Sequence, residues 1–225
     1  ATLHQHPFRL SGKLQGQREQ RCVPEDDVAA ARWYDLAAEQ GLALGQFRLG
    51  LMYADGAGVS KDESKAVEWF LRAAEQGNSG AQFHLALMHL EGAGVSKNNA
   101  KALEWYRRAA EQGHALAQYN LGFEYDVGRV VPENDAEAVK WYRRSAEQGL
   151  ARGQFRLGVM YAAGAGVVQD YSEAARWSRR AAEQGHSLAQ ANLATHYVLG
   201  EGVSKDFTKA LAWLELATKK GHKYA

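Results

Sequence analysis

Apolar positions along the chain recur with the period of an amphipathic helix, and the helical stretches recur with a longer period of their own. In "LALGQFRLGLMYADG", residues 42–56, Gln46, Leu49, Gly50 and Tyr53 stand at i, i+3, i+4 and i+7 and mark one stripe of a helix, here helix A. "ESKAVEWFLRAAEQ", residues 63–76, carries Ala66, Trp69, Phe70 and Ala73 on the stripe of a second, helix B. The intervening "GAGVSKD" is a loop. Gly56 and Gly58 suit an exit through left-handed backbone angles, Asp62 suits an N-cap, and Gly77 closes helix B.

The closing glycine returns at Gly41, Gly77, Gly113, Gly149, Gly185 and Gly221, always 36 residues on, and all six tryptophans keep the same interval at Trp33, Trp69, Trp105, Trp141, Trp177 and Trp213. Two helices of this size have apolar stripes wider than one partner can cover, so each unit buries its remainder against the next. The repeated Trp and Ala then read as knob and hole of a structural core. The 225 residues describe a stack of units in place of the one or two globular domains their number would suggest.

The stretches "AQYNLGFEYDVG" and "GVSKDESKAVEWFLRAAEQG", with their copies, resemble Sel1-like repeats, relatives of the tetratricopeptide repeat with a longer loop between the helices. The resemblance covers residues 23–225, a lone helix B at about 25–40 followed by five helix pairs. It implies an all-α fold, a right-handed α-solenoid of antiparallel helix pairs in a tetratricopeptide-like superhelix with helix A on the concave side, and a role as a protein-interaction scaffold or adaptor. Residues 1–22 fall out of register and are expected to form a degenerate cap or a flexible arm, although "FRLSG" at Phe8 echoes "FRLG" at Phe47. The terminal "GHKYA" matches the opening of another unit, "GHSLA", which suggests a chain cut from something longer. In the third unit, "DVGRVVPEND", Val130 replaces the second loop glycine and Pro132 precedes the next helix, so this loop is expected to take a different path.

Composition narrows the function classes. With 27 basic against 26 acidic side chains the formal charge is +1, too small a field to recruit nucleic acid or an acidic membrane. No stretch approaches the roughly 20 apolar residues of a membrane helix, and "ATLHQHPFRL" lacks the apolar core of a signal peptide, leaving the compartment open. Cys22 is alone, so neither an intrachain disulfide nor a Cys-based metal site is possible.

No catalytic constellation emerges, and no cofactor or metal is expected. Ser-x-x-Lys is absent, and "GAGVSK" lacks the ending and preceding strand of a phosphate loop. His84 and His89 are five residues apart, on different faces of a helix, and His89 takes a slot held elsewhere by Tyr53, Tyr125, Tyr161 and Tyr197, which favours packing. His114, His186 and His222 follow the closing glycine, where protonation would complement the C-terminus of the preceding helix. Arg107, Arg143 and Arg179, each with a Glu four residues on (Glu111, Glu147, Glu183), read as a self-neutralised solvent face.

By the resemblance, the groove-facing positions of helix A are Leu44, Phe47, Arg48, Leu51 and Asp55 and their counterparts. Phe47, Phe83, Tyr119 and Phe155 form an aromatic strip broken at Ala191, and Arg48, His84, Asn120, Arg156 and Asn192 form a polar row beside it. Such a surface suits a protein or peptide partner. Tetratricopeptide domains that grip a C-terminal carboxylate carry an Asn followed in the next unit by a Lys and an Arg. The trio Asn120, Arg152 and Arg156 resembles part of that clamp, whereas Phe83 and Leu87 depart from it, and the implied partner presents an acidic or C-terminal carboxylate. Two other classes compete: self-association or structural assembly through the terminal repeats and, third, a hydrolase or penicillin-binding activity.

Overall fold

A computed structural model describes residues 24–219, and the readings made for residues 1–22 and for the terminal "GHKYA" lie outside them. Among the described residues there are 11 helices and no strand: α1 (Pro24–Glu39), α2 (Ala43–Asp55), α3 (Glu63–Glu75), α4 (Ser79–Glu91), α5 (Asn99–Glu111), α6 (Ala115–Val127), α7 (Asp135–Glu147), α8 (Ala151–Ala163), α9 (Tyr171–Glu183), α10 (Ser187–Leu199) and α11 (Phe207–Lys219). Even-numbered helices are the A helices and odd-numbered ones the B helices, an all-α repeat fold of helix pairs. The chain divides into two compact units, up to Trp105 and from Tyr106 onward, the division falling within α5. In the first, α1 packs on α2, α2 on α3 and α3 on α4; in the second, each helix from α6 to α11 packs on the next.

Local chemistry sets the helix ends. Every B helix from α3 on starts at an Asp or Asn whose side chain accepts from a backbone N–H three residues ahead: Asp62 from Lys65 (3.0 Å), Asn98 from Lys101 (3.0 Å), Asn134 from Glu137 (3.1 Å), Asp170 from Glu173 (3.0 Å) and Asp206 from Lys209 (2.9 Å). The A helices end at Gly56, Gly92, Gly128, Gly164 and Gly200, all left-handed. The second loop glycine has a stricter reason. A Cβ on Gly58 would lie 2.1 Å from the Asp27 carbonyl oxygen, and one on Gly202 1.9 Å from that of Tyr171. Val130 carries a Cβ for which those loops have no room.

Burial along the B helices is graded in a way the tryptophan period conceals. Trp141 and Trp177 are buried, Trp69, Trp105 and Trp213 half-buried, and Trp33 is 72% exposed. The deepest side chain follows the tryptophan: Phe70, Tyr106 and Tyr142 are at most 1% exposed. The glycine of Leu-Gly-x-x-Tyr makes space for it, since a Cβ on Gly50 would sit 2.7 Å from the Phe70 ring and one on Gly122 2.9 Å from Tyr142.

Two glutamines per repeat tie the layers together. Gln46, Gln82, Gln118, Gln154 and Gln190, all buried, donate from Nε2 to the carbonyls of Ala38, Ala74, Ala110, Ala146 and Ala182 at 3.0–3.3 Å, satisfying backbone groups at the end of the preceding B helix. The glutamine of "AEQG" then donates to the first: Gln76 to Gln46 (2.7 Å), Gln148 to Gln118 (2.7 Å) and Gln184 to Gln154 (2.8 Å).

Candidate functional site

The sequence-derived site residues occupy the A helices, and each unit assembles its own subset. In the first unit, Phe47 and Arg48 sit on α2, and Phe83 and His84 on α4. Phe47 lies 6.0 Å from the Phe70 ring and 5.7 Å from the His84 ring, His84 stacks on Phe70 at 5.2 Å, and Phe83 meets His84 edge-on at 5.6 Å. Arg48 is exposed, Phe47 and His84 are half-buried, and Phe83 is buried.

In the second unit, Tyr119 and Asn120 lie on α6, Arg152, Phe155 and Arg156 on α8, and Asn192 on α10. Asn120 is buried and donates from Nδ2 to the Tyr106 hydroxyl at 3.0 Å. Tyr142 donates to Asp126 Oδ2 at 2.8 Å, and burial, reinforced by the Asp126 charge, pushes its phenol well above the ordinary range. The Arg156 guanidinium lies 5.5 Å from the Phe123 ring centroid and 3.8 Å from Asp126 Oδ2. Arg152, Phe155, Arg156 and Asn192 are half-buried, and His186 stacks on Phe155 at 4.8 Å.

The polar row therefore has an internal partner that the sequence did not reveal. His84, Asn120 and Arg156 are equivalent positions 36 residues apart, and each faces a layer formed by the buried aromatic of the preceding B helix, Phe70, Tyr106 or Tyr142. Its members differ in what they leave exposed. Asn120 is taken up by the core, whereas Arg156 holds a loose ion pair that a second carboxylate could contest.

Two readings of the helix ends change. His114 and His186 do not complement the preceding helix as cations. They N-cap the following one, Nδ1 accepting from Ala117 at 3.2 Å and Ala189 at 3.3 Å, which requires a neutral ring, and burial lowers the His114 pKa from its ordinary 6.5. The arginine row does not neutralise itself with glutamates. Arg107, Arg143 and Arg179 donate to the hydroxyls of Tyr125 (3.0 Å), Tyr161 (2.8 Å) and Tyr197 (3.0 Å), while Arg72, Arg144 and Arg180 lie over Trp69, Trp141 and Trp177 at 4.4–4.7 Å.

Among the described residues no cluster of His, Cys, Asp and Glu is placed to hold a metal, and no helix is long and apolar enough to cross a membrane. No curated protein matches the chain. Solved structures do. A protective antigen present in uropathogenic Escherichia coli strains, displaying an SLR fold, is 40% identical over 86% of the chain with a TM-score of 0.82, and the chain spans 42% of that antigen's length. A Sel1 repeat protein from Oxalobacter formigenes is 36% identical, with 88% of this chain and 81% of that one covered and a TM-score of 0.77. A protein from Klebsiella pneumoniae, described as a Sel1 repeat protein, shares the fold at 22% identity, 86% and 94% coverage and a TM-score of 0.54. The Sel1 repeat model matches six consecutive stretches, residues 8–42, 43–78, 79–114, 115–150, 151–186 and 187–222. Proteins built from this repeat act generally as protein–protein interaction scaffolds, and the chain, matched repeat after repeat, belongs to the Sel1 repeat family.

Proposed function

We propose that this chain is a non-catalytic scaffold that binds a segment of another protein on its A-helix faces. The observation that carries the reading is the second-unit cluster of Arg152, Phe155 and Arg156, half-buried on α8, where cationic and aromatic groups stay within reach of a partner. A partner carboxylate, side-chain or C-terminal, competes with Asp126 for Arg156 and adds the bonds a 3.8 Å ion pair does not make. In the first unit, Phe47 and Arg48 contribute the same pairing of ring and charge.

The test is selection from a peptide library displayed with free C-termini, followed by titration of the selected peptides and their amidated forms. Arg152→Ala is expected to weaken binding about tenfold, or roughly 1.4 kcal/mol, and Asp126→Asn to strengthen it. Equal affinity of the wild type and an Arg152→Ala, Arg156→Ala double variant would sink this reading. A second reading, self-association through the last described repeat, rests on Phe207 and Leu211 of α11, which are 69% and 59% exposed. Light scattering of the wild type against Leu211→Lys decides it.

A further inference from the structure

Three repeats in the second unit close the angle between one B helix and the following A helix with an arginine and a tyrosine: Arg107 with Tyr125, Arg143 with Tyr161, Arg179 with Tyr197. The equivalent positions in the first unit are Asp35 and Tyr53 and, one repeat on, Leu71 and His89. Leu71 and His89 are both shorter than the pair they replace, and a cavity of about 240 Å³ opens between α3, α4, the loop after α4 and α5, lined by Val67, Leu71, Leu85, His89, Val95 and Trp105, with Lys101 and Glu104 at its polar edge. His89 is 7% exposed, and its Nδ1, sealed from solvent, has no hydrogen-bond partner. The same helix carries Leu85 at 1% exposure, so the inner wall is apolar, while Leu71, 39% exposed, stands at the mouth.

From this we infer that the cavity is a binding site for a phenol-class aromatic ring. Size permits it, because a dry apolar cavity of about 150 Å³ already accepts benzene. Shape argues for it, because the same slot in the four other repeats is occupied by the chain's own tyrosine, Tyr53, Tyr125, Tyr161 or Tyr197. Polarity completes the case. Lys101 and Glu104 at the cavity edge can meet a hydroxyl carried in on the ring, as Arg107 meets the hydroxyl of Tyr125. The site lies apart from the A-helix cluster of the proposed partner surface and does not depend on it.

The experiment is a titration of p-cresol into the full chain, followed by the NMR resonances of the Trp105 indole N–H and the His89 imidazole. A saturable shift of both is expected, together with at least a tenfold loss of affinity in the Leu71→Arg, His89→Tyr double variant, which imports the pairing used by three repeats of the second unit and should hold the thermal midpoint. Leu71→Trp fills the cavity from its mouth and serves in place of the double variant if that protein does not fold. No saturable shift in the wild type, or equal affinity in the filled variant, overturns the assignment. Acetyl-Gly-Tyr-Gly-amide identifies the source: binding as tight as that of p-cresol supports a site for the tyrosine of a protein, and binding of p-cresol alone supports one for a free phenol.

Discussion

The Phe70 layer of the first unit and the Tyr142 layer of the second occupy equivalent positions on equivalent helices, yet they are held by different forces. Phe70, a ring with no polar atom, is enclosed by the rings of Phe47 and His84 and by a cluster that includes Ala66, Leu85 and Met88. Tyr142 is equally buried, but its hydroxyl reaches Asp126, which in turn faces Arg156. The difference shows that where a large ring follows the tryptophan the fold leaves open what satisfies that ring's edge, and after Trp177 the same buried position is filled by Ser178. A charged group at the polar row is therefore compatible with the scaffold only where the buried ring or its neighbours supply a counterpart.

The largest effect comes from removing either ring. Phe70→Ala and Tyr142→Ala should each cost about 3–5 kcal/mol by cavity formation, read from denaturant midpoints; a cost below 1 kcal/mol at either site would show that the layer is not core. Exchanging the edges comes next. Tyr142→Phe leaves Asp126 with the Arg156 ion pair alone and should lose about 1.5–3 kcal/mol, the range for a hydrogen bond to a charged group. Phe70→Tyr should lose about 1–3 kcal/mol and recover most of it in the Phe70→Tyr, His84→Asn double variant, which imports the Tyr106–Asn120 pairing; additive losses in that double-mutant cycle would break the equivalence of the layers.

A smaller effect distinguishes the units by pH. The cap of α4 is Asn78, accepting from Ala81 at 2.9 Å and indifferent to pH, whereas α6 and α10 are capped by neutral histidines. The folded state holds the His114 pKa below 6.5, so its contribution is complete above pH 6.5 and is lost as the pH falls from there through the lowered folded value. Protection of the α6 amides, taken relative to the intrinsic exchange rate at each pH, should fall over that interval by the equivalent of about 1 kcal/mol, the usual worth of a cap, and His114→Asn should abolish the change. The smallest effect is expected at Trp33, 72% exposed, where Ala should alter stability by no more than about 0.5 kcal/mol.

Period, helix pairing and loop boundaries were legible because they depend on spacing along one chain: the 36-residue recurrence of Gly77 and Gly113, and Asp62 or Asn134 ahead of each B helix. Depth within the core was less so. Trp69 and Phe70 are adjacent on the same stripe, and only the rotation of the packed helix makes Phe70 the buried one. His114 stands between two helices, and sequence could not tell whether it serves the C-terminus of one or the N-terminus of the next. The Arg179–Tyr197 bond and the Gln76–Gln46 bond join residues 18 and 30 apart, separations with no meaning before the layers are placed. The sequence placed Arg156 and Asn120 on one polar row, but their engagement with Asp126 and Tyr106 is a property of the packing.

The glutamine bonds have a genetic consequence. Their partners lie 8 and 30 residues apart, and both ends recur every 36 residues. Excision of residues 151–186 would join Leu150 to Ser187 and bring Gln190 to the Ala146 carbonyl that Gln154 had used, with Gln148 still bound to Gln118. Unequal recombination between copies of the repeat can thus lengthen or shorten the gene in whole steps without orphaning an amide at the new joint, while an indel of any other size breaks the ladder at once.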